Sequence, residues 1–438
     1  MPVFKASGFF VPMRTTHIPV SPDWYTVILQ TYANREHGEV TKRSMTMGAI
    51  ARRITRVITA VVCVAVSVGV SVATLHVPTR EGGGERFNPA RYRSDVIADT
   101  VINHTTGVDK TQGTGTAGSP YDNKGYFPEA GYTPSDFHAP CSIWTYRDAE
   151  SVWNCQVSGL QDLDTSSPHV RDVLSDYFVK LLDYGVAGFR VDAVKHMPPE
   201  DVLAIKKLVA KKSGRSMNDI WWTQEVIGDN AEAAEIQPRN YLKTGQVNEF
   251  QYAYRLKSLF SNSLAGGSLS IKDIPQNITD SGKASVFVTN WDTERNNMTL
   301  TYKDGDAYRL ANAFMLAYPY GAPNVFSGYE FHDTDSGASG ATATSVPDID
   351  CSKDSGWSCT ERWPDVHGMV GWHNVAGDAP LSDWQDDGDN MIAFGRGGRA
   401  FIAINNSVRT RTVTYHTALP AGEYCDVYAS ADCSGSVH

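Results

Sequence analysis

The spacing of apolar positions predicts two helices in the middle of the chain. Residues 169–184 carry an apolar stripe at helical spacing, and Gly185 follows it as a stop signal. A second helix over 198–212 opens on two prolines and is followed by Gly214. Both segments have the length and the end signals of helices that pack one face on a core.

Short apolar runs on either side of these helices predict strands, which cover residues 95–102, 185–191, 220–225, 246–250, 285–290 and 323–327. Alternation of strands with helices indicates an α/β fold built on a parallel sheet or a (β/α) barrel. From about residue 376 the pattern becomes rich in β-strands, with Met391–Phe394 and Ala400–Asn405 as the clearest examples. We interpret 376–438 as a separate, small β domain.

One apolar run near the N-terminus has the length of a membrane span. Val57–Leu75 is nineteen residues without a charge, and a cluster of Lys and Arg precedes it. Translation from Met45 or Met47 would make it a cleaved secretion signal, whereas the printed start makes it an internal signal anchor. A buried core segment is the third alternative. We divide this part of the chain into an unassigned segment over 1–56, the apolar segment over 57–77 and a Gly-rich linker over 78–92.

Charge and cysteine content narrow the class of protein. The chain has 438 residues with 39 Lys and Arg against 49 Asp and Glu, a net charge of −10, which argues against a nucleic-acid partner. Six of the seven cysteines form close pairs without metal-site spacing, so we expect three disulfides and an oxidising compartment. The pairs are Cys141 with Cys155, Cys351 with Cys359, and Cys425 with Cys433, and Cys63 is left over.

Acidic residues follow three of the predicted strands. In a (β/α) barrel the carboxyl ends of the strands meet at one face, so Asp192, Glu225 and Asp292 are predicted to converge there. Arg190 shares a strand face with Asp192 and is expected to lower the pKa of that acid. Burial among apolar neighbours is expected to raise the pKa of Glu225. Taken singly, each acid is more often a helix cap or a surface ion-pair partner, and only the joint pattern favours catalysis.

Several long motifs resemble the α-amylase family of retaining glycoside hydrolases. They are GFRVDAVKH at 188–196, TQEVIG at 223–228, NWDTERN at 290–296, AYPYG at 317–321, and the late WHNVAG and NMIAFGRGGRAFIAINNS. The resemblance is greatest to the secreted animal-type and actinobacterial members and covers roughly 93–438. It implies a (β/α)8-type barrel over 93–375, apparently lacking its first two strands because residues 1–92 do not match. It also implies a loop-rich insertion over 105–165 and a shortened C-terminal antiparallel domain.

The same resemblance implies roles for the strand-end residues. Asp192 would be the nucleophile, Glu225 the acid/base, and Asp292 the stabiliser of the transition state. Substrate contacts would come from Arg190, His104, Lys195, His196 and Trp291, where Trp291 replaces the family's usual His.

Ions also enter through the resemblance. Calcium would be held by Asn103, Asp162 and the carbonyl of His196, with the carbonyl of Trp153 as a further ligand, and the Cys141–Cys155 bridge would brace the same insertion. Taken alone, Asn103 and Asp162 are ordinary loop-capping residues. Animal-type members bind chloride with a second basic residue, and Asn324 stands near that position, so we expect chloride independence.

The resemblance implies an extracellular, monomeric, endo-acting hydrolase of α-1,4-glucosidic bonds in starch or glycogen. A related transglycosylase or maltogenic hydrolase is an alternative that the acids do not separate. Two non-enzymatic alternatives are a starch-binding protein without activity and a membrane-anchored, amylase-like glycoprotein of a transporter complex. Retention of all three acids favours the enzyme.

Overall fold

The computed structural model describes residues 4–5, 9–12, 96–430 and 436–437, with internal gaps at 108, 110–111, 116–117, 262–279, 343–346 and 353. The apolar run Val57–Leu75 and Cys63 lie outside the described residues, so the secretion-signal and anchor interpretations stay predictions. No helix in the described part combines the length and apolar character needed to cross a membrane.

Six parallel strands form the central sheet and are numbered here in chain order. They are β1 Ile97–Thr100, β2 Gly188–Val191, β3 Trp221–Gln224, β4 Gln246–Asn248, β5 Ala284–Phe287 and β6 Ala322–Asn324. Each strand pairs with its neighbours along the chain, so the order in space is the order in sequence. Among the described strands the sheet ends at β1 and β6. The prediction of a barrel-type parallel sheet is therefore confirmed, and no strand of the described residues precedes β1 in this sheet.

Seven α-helices lie in the described part of the chain. They are α1 Ala149–Asn154, α2 Pro168–Asp183, α3 Pro199–Ser213, α4 Phe250–Phe260, α5 Trp291–Arg295, α6 Asp306–Ala317 and α7 Pro364–Ala376. The helices α2 and α3 match the two sequence predictions, and their end signals act as expected. Ser167 accepts from the Val170 N–H at the start of α2, and Gly214 closes α3 in the left-handed region at φ 64°.

The apolar face of α2 packs on the buried side of the sheet. The ring of Phe178 lies 4.6 Å from that of Phe189 on β2 and 4.9 Å from that of Trp222 on β3, measured between centroids. Both residues of β2 that flank Arg190 are fully buried, as is usual for parallel strands covered on both faces. This packing fixes the ends of β2 and β3, where the candidate catalytic residues follow.

The loop-rich insertion after β1 is held by short ladders and a disulfide. His104–Gly107 pairs with Leu160–Asp162, and Gln112–Thr114 pairs with Pro120–Asp122, both antiparallel. The predicted Cys141–Cys155 bridge spans the middle of the insertion and is confirmed.

The second predicted bridge, Cys351–Cys359, is also confirmed. Cys425 is disulfide-bonded too, but Cys433 lies outside the described residues, so that pairing stays a prediction.

The C-terminal sheet is antiparallel, as predicted. The strands that the C-terminal part of the chain contributes to this sheet are Leu381–Asp386, Met391–Arg396, Ala400–Asn405, Tyr424–Asp426 and Ser436–Val437. The backbone of Phe9–Pro12 pairs between Ala400–Asn405 and Tyr424–Asp426, and Phe4–Lys5 pairs with Thr412–Val413. Sequence patterns had given no assignment for this N-terminal segment, because a strand of four residues carries too little periodicity to stand out.

Candidate active site

A buried arginine stands at the centre of the predicted site. Arg190 is the third residue of β2, and its guanidinium is almost completely buried. Its Nη1 donates to Asp99 at 2.9 Å and to Asp192 at 2.7 Å, and its Nη2 lies 3.0 Å from Glu225 Oε2. Although burial opposes a charged guanidinium, these three carboxylates hold the pKa of Arg190 well above its ordinary value. The arginine is thus a permanent cation shared by three acids from three strands.

The strand register explains this convergence. Asp99 on β1 is paired with Arg190 on β2, and Arg190 is paired with Thr223 on β3, two residues before Glu225. The Asp192 N–H donates to Thr100, and the Glu225 N–H donates to Val191, each at 2.9 Å. These bonds extend the parallel ladder by one residue past each strand and fix where the two acids leave it.

The pKa of Asp192 is shifted in the direction opposite to the one expected from the sequence. Burial and the negative charge of Glu225 together raise the pKa of its carboxyl to about 7, against the lowering effect of Arg190. The expectation of a lowered pKa was wrong because it considered the arginine alone and neglected burial and the second acid.

The pKa of Glu225 is also shifted in the direction opposite to the expected one. Burial by itself would raise it, but Arg190, the N–H of Ala193 at 2.9 Å and a hydrogen bond from Asp192 hold it below its ordinary value. The expectation of a raised pKa was wrong because the apolar neighbours in sequence are not what the carboxylate meets in space. Asp192 and Glu225 therefore influence each other's ionisation around Arg190, with the pKa raised on Asp192 and lowered on Glu225.

Asp292 lies in the first turn of α5 after the fifth strand. Asn290 caps this helix, accepting from the Thr293 N–H at 2.9 Å, which fixes the turn that carries the acid. Asp292 remains exposed, yet the protein atoms around its carboxyl raise its pKa, and the charge of Glu225 acts in the same direction. Arg190 and Arg295 oppose this rise. The pKa of the third predicted acid therefore depends on the charge of Glu225.

Two cationic candidates follow Asp192 in a short turn. Lys195 Nζ lies 2.5 Å from Glu232 Oε2 and 5.0 Å from the centre of the Tyr146 ring. The imidazole of His196 packs edge-on against the same ring at 5.9 Å, and burial lowers its pKa to about 4. His196 is therefore neutral at physiological pH and suited to hydrogen bonding rather than to charge pairing.

Three further residues in this region were not predicted from the sequence. The sequence assigned no role to Asp99, Glu232 or Tyr146. Asp99 could have been found by pairing the strands, since it is level with Arg190 in the ladder. Glu232 and Tyr146 lie in irregular loops, whose sequences have no periodic pattern of apolar residues.

The candidate calcium residues lie together where the insertion meets β1. Asn103 Nδ2 donates to Asp162 Oδ1 at 3.1 Å, and His138 Nδ1 lies 2.7 Å from Asp162 Oδ2. Burial raises the pKa of Asp162 to about 6. Asn103 Oδ1 is buried and has no hydrogen-bond partner in the structure. His104 lies beside Asn103, with their side-chain nitrogens 3.5 Å apart.

An orphaned amide oxygen beside a buried carboxylate fits a hard cation, which prefers oxygen ligands. The helix α1, which carries Trp153, packs against the Val194–His196 turn, so the two proposed carbonyl donors lie on contacting elements. A different cluster, formed by Cys351, Cys359 and Glu361, is no metal site because its cysteines are joined in a disulfide.

Trp291 stands where the resemblance leads one to expect a histidine. The guanidinium of Arg295 lies 3.4 Å from the centre of its ring, and Tyr329 contacts it edge-on at 5.5 Å. Trp291 and Asp292 are adjacent in the first turn of α5. The indole is therefore held firmly next to the third acid.

A small cavity beneath the acids contains the residues of the expected chloride position. Arg190, Asn290 and Asn324 all line it. Asn324 Nδ2 donates to Ser285 Oγ at 2.8 Å and to the Val286 carbonyl at 3.1 Å, so its amide is already engaged. The cavity offers one cation, Arg190, which three carboxylates already neutralise. These residues do not fit an anion.

Comparison with known proteins agrees with this geometry. Residues 93–374 match the family described as "Alpha amylase, catalytic domain", and residues 382–438 match "Alpha amylase, C-terminal all-beta domain". The chain belongs to the α-amylase family. The α-amylase of the beetle Tenebrio molitor is 37% identical over 376 residues, which cover 82% of this chain and 79% of the beetle protein. The α-amylase of Streptomyces violaceus is 41% identical over 338 residues, which cover 76% of this chain and 56% of that protein. The chain thus spans little more than half the length of the bacterial relative.

Solved structures of amylases share the fold. The α-amylase I of the earthworm Eisenia fetida superposes with a TM-score of 0.70 at 33% identity, covering 76% of this chain and 72% of that chain. A variant of the same earthworm enzyme has been solved in complex with maltohexaose. An Anoxybacillus α-amylase, at 19% identity and a TM-score of 0.53, agrees in fold.

The raised pKa of Asp192 predicts a pH-dependent loss of stability. Its carboxyl titrates at about 7 in the folded protein and near 3.8 ordinarily, so between these pH values the folded state holds a proton that the unfolded chain has released. The free energy of unfolding therefore falls as pH rises across this window. We expect the melting temperature to fall less between pH 4 and pH 7 in Asp192→Asn than in the unmodified protein, as measured by calorimetry. The exposed Asp378→Asn variant serves as the control and should follow the unmodified protein. Parallel curves for all three proteins would contradict the burial argument.

Proposed function

We propose that this protein hydrolyses α-1,4-glucosidic bonds inside starch or glycogen chains, with retention of anomeric configuration. The observation that carries the proposal is the Asp192–Glu225 pair, bound to one buried guanidinium at the carboxyl ends of neighbouring strands. Asp192 and Glu225 bind the same guanidinium and act on each other directly, an arrangement that favours a nucleophilic carboxylate and a covalent intermediate over direct attack by water. The family membership and the maltohexaose complex of the earthworm relative support the substrate class.

In this proposal Asp192 attacks the anomeric carbon while Glu225 donates a proton to the departing glucosidic oxygen. The C–O bond breaks, and a glycosyl ester forms on Asp192. Glu225 then takes a proton from water, whose oxygen attacks the same carbon and releases Asp192. The cycle needs one proton on the pair, and the pair holds one near neutral pH. Substrate binding must place that proton on Glu225, because Asp192 attacks only when ionised.

Charge around the reacting carbon supports the transition state in this scheme. The glycosyl centre becomes positive as the bond breaks, and Asp292 and Asp99 lie within the electrostatic reach of the pair. Arg190 holds the nucleophile's carboxylate in one orientation through its 2.7 Å contact. Lys195, His196, His104 and Trp291 are proposed to contact sugar hydroxyls and rings along the cleft.

We further propose an extracellular location, with the disulfides supporting an oxidising compartment. N-terminal sequencing of the mature protein distinguishes a cleaved signal from a retained anchor in segment 57–77. An inactive starch-binding protein is the second candidate function. The sheet that begins at β1 favours it, since the first two strands of the family barrel have no counterpart among the described residues.

We also propose that calcium binds Asn103, Asp162 and the carbonyls of Trp153 and His196. The orphaned Asn103 Oδ1 supports this assignment. Bound calcium would supply a positive charge that offsets Asp162 and ties the insertion to the sheet.

The catalytic proposal predicts a sharp effect of two isosteric substitutions. Asp192→Asn removes the nucleophile and Glu225→Gln removes the proton donor, so each should lower kcat on soluble starch by at least about 10²–10⁴-fold. The exposed Asp378→Asn variant should keep full activity. The measurement is reducing-sugar release, with the anomer of the first product followed by NMR. Equal rates for Asp192→Asn and the unmodified protein would refute catalysis at this site.

The calcium proposal predicts stabilisation by the ion. Adding calcium to chelated protein should raise the free energy of unfolding by about 3 kcal/mol at on the order of 100 times its dissociation constant. Asn103→Ala should lose most of this gain, whereas the exposed Asn218→Ala should keep it. Thermal unfolding with and without chelator measures both. A calcium response that Asn103→Ala leaves unchanged would place the ion elsewhere.

The cavity around Arg190 predicts that activity does not require chloride. Replacing chloride with a larger, non-coordinating anion at constant ionic strength should change kcat less than about twofold, because Arg190 is already neutralised. The same titration on Asn324→Arg adds the missing cation and should produce a chloride response. A steep chloride requirement of the unmodified protein would overturn the expectation.

A further inference from the structure

One tryptophan of the insertion is mostly exposed to solvent. Trp144 exposes 74% of its surface and is the one tryptophan in the described part of the chain among the exposed large apolar residues. A large aromatic ring gains by burial, so an exposed indole offers binding energy to a ligand that can cover it.

The loop that carries Trp144 is firmly anchored. Cys141 is bonded to Cys155, and the Gln156 N–H donates to the Cys141 carbonyl at 2.9 Å. The Trp144 N–H donates to Ser151 Oγ on α1 at 3.2 Å. The ring is therefore presented by a fixed backbone, which lowers the entropy lost when a ligand binds.

The loop also runs along one side of the proposed active site. Two residues after Trp144, the ring of Tyr146 meets Lys195 and His196 at 5.0 and 5.9 Å. The Tyr146 carbonyl accepts from the Ala233 N–H at 2.8 Å, next to Glu232, which pairs with Lys195. The loop 141–148 is thus hydrogen-bonded to the segment that follows the acid Glu225. Trp144 precedes that contact by two residues and is exposed to solvent.

The chemistry of an exposed indole selects the ligand. A glucose ring presents C–H bonds on its face and hydroxyls at its rim, so it can cover an aromatic ring while its hydroxyls stay in water. Anionic ligands are disfavoured, since the chain has a net charge of −10 and Lys195, which contacts the Tyr146 ring, is already paired with Glu232. A neutral glucan chain that extends from the acids past Tyr146 fits both the chemistry of the Trp144 ring and its position.

We propose that Trp144 is an outer stacking platform for α-glucan chains, which binds glucose units beyond those held by the acids. The inference rests on the proposed function for its ligand but concerns binding rather than turnover. It predicts that Trp144 matters for long glucans and little for short ones, because a short glucan held at the acids does not reach the loop.

The test compares Trp144→Ala with a matched control, Tyr184→Ala. Tyr184 is 72% exposed at the end of α2, and its removal deletes an equally exposed ring outside the insertion. Affinity is measured by electrophoresis of the full chain in gels containing amylopectin and by titration with maltoheptaose and maltotriose. We expect Trp144→Ala to weaken binding of amylopectin and maltoheptaose by about 3- to 10-fold. Binding of maltotriose should change by less than half as much, and Tyr184→Ala should match the unmodified protein.

A conservative variant separates stacking from folding. Trp144→Tyr keeps a ring on the same backbone and should retain most of the affinity that Trp144→Ala loses. Equal binding by Trp144→Ala and Tyr184→Ala would overturn the proposal. So would equal losses for maltotriose and maltoheptaose, or a Trp144→Tyr variant as weak as Trp144→Ala. These readouts need no turnover, so a protein that binds glucans through Trp144 but leaves starch intact would refute the proposed hydrolysis and support the platform.

Discussion

The contact of one buried guanidinium with three carboxylates determines the rest of this site. Arg190 cannot leave the core without stranding Asp99, Asp192 and Glu225 as neighbouring negative charges. Removal of one partner from a buried ionic cluster is strongly destabilising, because the remaining charges stay desolvated and unpaired. The geometry of the acids is therefore a structural necessity as well as a chemical one, and it persists in a sheet whose described strands number six.

The sheet and the insertion cooperate to hold this cluster. The rings of Phe178, Phe189 and Trp222 pack together at β2 and β3, and this packing fixes the positions of the ends of both strands. The Asn103–Asp162 contact connects the insertion to the end of β1, and the Cys141–Cys155 bridge braces the insertion itself. Aromatic packing therefore supports the acids from within the sheet, whereas polar contacts hold the insertion beside them.

Much of the fold was accessible from the sequence, because periodicity reports on local structure. The helices α2 and α3, all six strands of the parallel sheet and two disulfides lie where the pattern predicted them. Arg190 and Asp192 were paired correctly, since two residues apart on a strand is a local relation. The two pKa directions were wrong, because each depends on groups that the fold brings from other strands. The Arg190–Glu225 contact exists only once β2 and β3 are in register, and no spacing along the chain encodes it.

The surplus of acids over cations around Arg190 has a consequence for inhibition. Asp99, Asp192, Glu225 and Asp292 all interact electrostatically with one guanidinium, so the site favours a second positive charge beside the acids. Nitrogen-containing sugar mimics that are protonated at neutral pH should therefore bind more tightly than their uncharged carbon analogues. Their advantage should grow as pH rises through about 7, where Asp192 gives up its proton and the pocket gains a further negative charge. Common hydroxylated amine buffers have the same charge and hydroxyl pattern, and they are expected to compete with the glucan for this pocket.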